Sequence, residues 1–296
     1  MEWQQIIGFY HVATLGSFTK AASTTFRTQS AISQQIKNLE EELGCQLFER
    51  ISKHKLRLTT AGDRFLKFSE TILARQSSLI EELNEIKGNQ KGRLRVAAPF
   101  TTLFHLFPLA LKHYIVKFPN VELTVLDRSQ QDILDLVKNG DIDFGLVLES
   151  IVPKDLTALR WKKVRTVVIT AVGHPLAKAK RVTLKQMGKY PLILPPINLK
   201  YRSNLKEKFQ KLGIDYHIVM ESSNVELSSL YVEMGLGISF ATVVKDLPEL
   251  KKRKLEFLPM DHLFKPDYIV VVMRKDKTMI SYKDAFVKIL FGEAFS

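Results

Sequence analysis

The sequence has one cysteine in 296 residues. Cys45 has no partner for an intrachain disulfide and forms no CxxC pair for a metal, which fits a reducing cytoplasm. Long apolar runs are missing too: none reaches the roughly 18 residues that a membrane helix needs. Met1-Glu2-Trp3 leads straight into a helical pattern, without the basic and then apolar segments of a secretion signal. A cytoplasmic protein without membrane contact is expected. Catalytic signatures are equally scarce. The seven histidines are scattered, and His105 and His113 lack HxxxH spacing. No GxGxxG or GxxxxGK[ST] occurs, and Gly235 and Gly237 suit a helix end and a turn. With no evident nucleophile–base pair, carboxylate pair or ligand cluster, neither an enzyme nor a metal- or cofactor-dependent protein is expected.

What is present is ordinary soluble composition, 45% hydrophobic and 25% charged, in a chain long enough for two or three domains. The net charge is +13, but residues 1–92 carry 12 Lys+Arg against 10 Asp+Glu, so most of the excess lies beyond them. Global charge therefore says little about nucleic acid, and local pattern has to carry that argument.

The most informative stretch is 28–44, TQSAISQQIKNLEEELG. Ile32, Ile36, Leu39 and Leu43 recur at helical spacing and predict one buried face. Thr28 suits the N-cap and Gly44 the left-handed position that ends the helix. Ser30, Ser33, Gln34 and Lys37 share the opposite face, and Glu40, Glu41 and Glu42 come only at its rear, so the polar front tolerates a polyanion. Before it, 3–14 predicts a first helix, and Ser17 can cap a second, short one in which Ala21 and Ala22 permit a close crossing. Two short helices with a tight connection match a helix-turn-helix, although an arbitrary helical hairpin has the same spacing. Next come Arg50, Lys53, Lys55 and Arg57, with no acid between Glu49 and Asp63. Leu56 and Leu58 alternate around Arg57 like a strand. This is either a basic hairpin gripping phosphates or a solvated loop.

Thr60 can cap a long helix over 61–89. Phe65, Phe68, Ile72, Leu79, Leu83 and Ile86 make a heptad-like seam on it, which suits either pairing with a second subunit or a core helix. Residues 88–92 form a polar, glycine-flanked hinge. Beyond it, strand candidates at 94–98, 121–126, 144–148, 167–172, 192–194, 217–220, 238–241 and 268–273 alternate with helical stretches at 104–117, 130–139, 205–212, 225–234 and 282–290. That alternation predicts an α/β region, in two subdomains with a cleft, whose ligands bind at the carboxyl ends of strands. By itself, this region also suits a solute-binding protein without regulation.

The segment FYHVATLGSFTKAASTTFRTQSAISQQIKNLEEELGCQLFER…LRLTTAG closely resembles the N-terminal signature of LysR-type transcriptional regulators. The resemblance continues through FPNVELTVLD, NGDIDFGLV, GHPLA and VEMGLGISF, and so covers nearly the entire chain. It implies an N-terminal winged helix-turn-helix over 1–60 and a dimerising linker helix over 61–89. It further implies a two-subdomain, periplasmic-binding-protein-like (type 2) effector domain, with subdomain I at 93–164 and 269–296 and subdomain II at 165–268. The partners implied are double-stranded promoter DNA, a small-molecule effector, further copies as a dimer of dimers, and RNA polymerase. Gln29, Ser33 and Gln34 fall at the family's base-reading positions, where a glutamine amide can pair with adenine. Thr28 and Ser30 flank them, Ser30 standing where the family often has proline. Lys37, Arg50, Lys53 and Arg57 correspond to phosphate or groove contacts. The effector pocket is expected from Phe100, Thr101 and Thr102, from Leu146 within 145–147, from Pro195 within 194–197, from Arg202, and from Ser223 within 222–225. Hydroxyls at a helix start suit an anion, although Thr101 and Thr102 could merely cap the helix, and Arg202 could equally be a surface arginine.

Overall fold

The computed structural model describes residues 1–52, 55–87, 91–196, 200–245 and 247–292. Lys53, Ile197 and hinge residues 88–90 lie outside the described residues, as does the side chain of Arg50. The chain divides into two compact units, one ending with the long helix after the basic hairpin and one beginning with the strand that follows it.

The first unit comprises α1 (Trp3–Leu15), α2 (Phe18–Thr24), α3 (Gln29–Leu43), β1 (Phe48–Ser52), β2 (Lys55–Leu58) and α4 (Thr60–Ile86). The caps follow from side-chain chemistry. Ser17 accepts from the Lys20 N–H at 3.3 Å and Thr28 from the Ala31 N–H at 3.2 Å. For the linker helix, Thr59 rather than the expected Thr60 is the cap, accepting from the Gly62 N–H at 2.9 Å. A Cβ at Gly62 would stand 2.0 Å from the Leu47 carbonyl oxygen, so only glycine lets α4 start so close to the hairpin. Phe9, Ala21, Ile32, Ile36, Leu39 and Leu47 form the core. The Phe9 ring lies 5.0 Å from Phe48 and 4.8 Å, edge-on, from Phe65.

Two expectations change here, at Leu43 and Phe65. Leu43, expected inward, is 40% exposed, because α3 projects past the core in its last turn. Phe65 packs on the core and so does not belong to the exposed seam of α4. Cys45, just past the left-handed Gly44, is exposed.

The second unit contains β3 (Gly92–Ala98), α5 (Phe100–Leu106), α6 (Pro108–Lys117), β4 (Val121–Asp127), α7 (Gln130–Asn139), β5 (Phe144–Leu148), β6 (Leu156–Ala171), α8 (Leu184–Met187), β7 (Leu192–Leu194), α9 (Lys200–Lys211), β8 (Ile218–Glu221), α10 (Val225–Glu233), β9 (Ile238–Val244), α11 (Pro248–Lys251), β10 (Leu255–Pro259), β11 (Asp267–Arg274) and α12 (Ser281–Phe291). The strands run β4-β3-β5-β11-β6-β9-β7-β8, with β10 beside β6. Parallel trios (β4-β3-β5 and β8-β7-β9) flank β11 and β6, and β6 serves both sides. It pairs antiparallel with β11 from Leu156 to Val164, then with β9 from Val164 to Ile169. Sequence patterning found only its second part. The first part carries Arg160, Lys162 and Lys163 and is largely exposed, so it lacks the continuous apolar signal of a buried strand. β10 was missed for the same reason: it is an edge strand, only partly buried.

Each half has its own apolar core, one around Phe107, Tyr114, Phe144 and Phe286, the other around Leu192, Leu205, Phe209 and Phe240. Beside the first, the Asp143 carboxylate is bonded to the Lys277 ammonium, lies 2.8 Å from Lys283 Nζ, and accepts from the Arg95 N–H at 2.8 Å. Burial opposes its charge, but the two ammonium groups outweigh burial and hold the carboxyl below its usual range.

Candidate nucleic-acid interface and ligand cavity

At the front of α3, Thr28, Gln29, Ser30, Gln34 and Lys37 are exposed and Ser33 is half-buried. Ile32, Ile36 and Leu39 point the other way, into the core, so the helix is fixed with its polar face outward. Four of those groups already have partners. The Thr28 and Ser30 hydroxyls stand 3.1 Å apart, and the Gln34 amide donates to Asn38 Oδ1 at 2.7 Å. Lys37 pairs with Glu41 one turn on, at 3.7 Å. That exposed pair is weak, and a phosphate can replace the carboxylate. The hairpin forms as expected, with β1 and β2 antiparallel, Phe48 opposite Leu58 and Glu49 opposite Arg57. Arg57 is exposed there.

On α4, the outward apolar residues are Phe68, Leu79, Leu83 and Ile86, the last 82% exposed. Ile80 joins them and was not expected; it falls off the strict seam spacing. Ile72 and Leu79 border a shallow hollow with Trp3, Arg75 and Gln76.

The second unit holds a cavity of about 150 Å³. Thr101, Thr102, Leu146, Pro195 and Ser223 all line it. So do Gln130, Ser222, Ser228, Ser239 and Thr242, which give it many hydroxyls and no charged residue among its described lining. Ser239 and Thr242 lie on β9, whose apolar strand pattern conceals them. Two expected residues do not line it. Phe100 points outward and stacks on Phe104 with 5.5 Å between centroids. Arg202, near the start of α9, is 3% exposed, with Nε and Nη1 lacking hydrogen-bond partners among the described residues, and lies 5.9 Å from the Tyr216 ring. It is therefore not the surface arginine that its sequence position allowed.

Sequence reading also missed the pair beside the cavity. Glu226, in the first turn of α10, accepts from the Thr101 hydroxyl at 3.1 Å, and its other oxygen lies 2.6 Å from His105 Nε2. Glu226 lies more than a hundred positions from both Thr101 and His105, so no spacing signals the contact. The His105 imidazole is fully buried, and its Nδ1 has no hydrogen-bond partner among the described residues. Among the described residues no cluster of three metal-ligating side chains occurs, and no helix is long and apolar enough to cross a membrane.

Residues 3–63 match the family described as bacterial regulatory helix-turn-helix protein, lysR family, and residues 87–294 match the LysR substrate binding domain. The chain belongs to the LysR family of transcriptional regulators. It is a DNA-binding regulator with an effector-binding domain, not an enzyme. Among LysR relatives, CysB of Haemophilus influenzae is 28% identical over 275 residues, 91% of this chain and 83% of that protein. The transcriptional activator CmpR of a Synechocystis strain is 29% identical over 284 residues, 96% of this chain and 93% of that one. The fold is that of full-length LysR structures. A full-length OxyR variant of Pseudomonas aeruginosa aligns with TM-score 0.71 at 20% identity, over 99% of this chain and 94% of that one. CbnR complexed with its target DNA aligns with TM-score 0.62 at 20% identity, over 99% of this chain and all of that one.

Proposed function

We propose that this LysR regulator responds to a small anion bound in the cavity between α5 and α10. The observation that carries this reading is the convergence of Thr101, Thr102, Ser222, Ser223 and Ser228 on one small cavity. Hydroxyls and helix-start amides satisfy an anion's oxygens without a countercharge. Drug-sized ligands occupy roughly 300–1,000 Å³, so a cavity near 150 Å³ favours a compact effector.

In this reading, residues 1–60 bind promoter DNA. Gln29, Ser33 and Gln34 read bases, and Lys37, Arg57 and the other hairpin cations hold phosphates. The helix over 61–89 pairs two copies, and pairs assemble further into a dimer of dimers. Residues 93–164 with 269–296, and 165–268, are the two halves that close on the effector. The protein works in the cytoplasm and acts on RNA polymerase.

The test is a thermal-shift screen of the full chain against sulfate, phosphate and small carboxylates, since a ligand of the folded state raises its melting temperature. A rise with one of these anions that Thr101→Val abolishes, with DNA affinity retained, supports the reading. A response unchanged in Thr101→Val overturns it.

A further inference from the structure

Phe26 combines two unfavourable features. It is the only non-glycine residue at positive φ among those described, with φ 54°, and its side chain is 97% exposed. The backbone explains the conformation. After α2 the chain must reverse into the Thr28 cap, and it does so through Arg27 N–H to Ala22 O at 2.9 Å and Phe26 N–H to Ser23 O at 3.3 Å. Such a helix end needs one left-handed residue, and glycine takes that conformation at least cost. A bulky aromatic there is an outlier. Folding has no use for the ring, since it touches no core. Strain combined with exposure points to a role outside the folded chain.

Position says where that role lies. Phe26 stands two residues before the N-cap of α3, next to Thr28, Gln29 and Ser30. That front is polar throughout and reads hydrogen-bonding edges. The one apolar feature of the major groove is the thymine methyl group, which is recognised by apolar contact, a phenylalanine ring included. Leu43, the other large exposed apolar side chain of α3 and its flanks, lies at the far end of the helix.

The geometry points to Phe26 as a specificity-determining DNA contact that packs its ring on a thymine methyl beside the bases read by α3. The assignment rests on the N-terminal end of α3 facing DNA. It means that the turn carries part of the sequence code and that each half-site contains a thymine recognised without a hydrogen bond.

The experiment uses the full chain and a duplex that the wild-type protein selects from a randomised pool. Each thymine is replaced in turn by deoxyuridine, which removes only the methyl. For the wild type, one replacement per half-site weakens binding about fourfold, the ratio for burying one methyl. Phe26→Gly binds the parent duplex more weakly, is indifferent to that same replacement, and is at least as heat-stable as the wild type. Phe26→Leu retains part of the discrimination. If every replacement affects wild type and Phe26→Gly alike, or Phe26→Gly binds as tightly as the wild type, the assignment is wrong. If Phe26→Gly alters sedimentation instead of DNA affinity, the ring covers a second copy and the assignment is equally wrong. Gln34→Ala run alongside separates the premises: loss there without loss at Phe26→Gly rejects Phe26 alone, and no loss at either rejects α3 as the reader.

Discussion

The Thr101 hydroxyl donates to Glu226 Oε2 at 3.1 Å, joining α5 to α10 beside the cavity. A carboxylate of the chain itself thus holds the hydroxyl that an anionic effector would use. Under the proposed function, effector binding replaces the Glu226 carboxylate at Thr101 with an oxygen of the bound anion. Glu226→Gln, which weakens a charge-assisted bond while keeping shape, should raise affinity for a small anion by about tenfold. Titration calorimetry of both proteins with the anion found in the thermal-shift screen checks this. Unchanged affinity would mean that the anion does not compete with Glu226.

The apolar seam of α4 leads to a second expectation. Leu83 is 47% exposed and Ile86 82% exposed, an arrangement that a soluble helix covers with a partner. Leu83→Glu should turn the assembly into monomers in sedimentation at micromolar concentration. A wild type that already sediments as a monomer would rule out the seam as an interface.

Asp143 sets a pH dependence. Its folded carboxyl is held below its ordinary value, so its stabilisation is fully present above the unfolded value, about 4, and is lost as pH falls through the folded one. Asp143→Asn leaves Lys277 and Lys283 without their shared carboxylate. It should cost roughly 3–5 kcal/mol at neutral pH, as breaking a buried pair does. Its urea midpoint should also fall less than the wild type's between pH 5 and pH 3, on the order of the window that the unfolded carboxyl sets. Equal acid sensitivity in both proteins would contradict this account.

Arg57, exposed on β2 opposite Glu49, is expected to grip phosphate without reading sequence. Arg57→Ala should weaken selected and random duplexes alike and flatten the salt dependence by about 0.9 in slope. Affinity measured across a potassium chloride series decides it, and a loss confined to the selected duplex would make Arg57 a base reader.

The sequence was most legible where one face of an element is buried. Ile32, Ile36 and Leu39 gave α3 its orientation, and Thr28 and Gly44 gave its ends, because caps and period are local. Thr101, Thr102, Leu146, Pro195 and Ser223 were placed together through the family resemblance, and they do share one cavity. What stayed hidden depends on the third dimension. Phe65 has the spacing of the seam, but α4 packs on α1 at this point and the ring meets Phe9 edge-on. Glu226 and His105 meet only once α5 and α10 are set side by side. The unusual backbone of Phe26 leaves no mark in composition or period.

The central claim is that α3 reads DNA sequence through its polar front, and Gln34→Ala tests it most directly. Fluorescence anisotropy of the full chain should compare the selected duplex with a random one. The account predicts that Gln34→Ala loses about 1–3 kcal/mol on the selected duplex, binds the random duplex as the wild type does, and tolerates substitution at one base pair per half-site. Equal loss on both duplexes would contradict it.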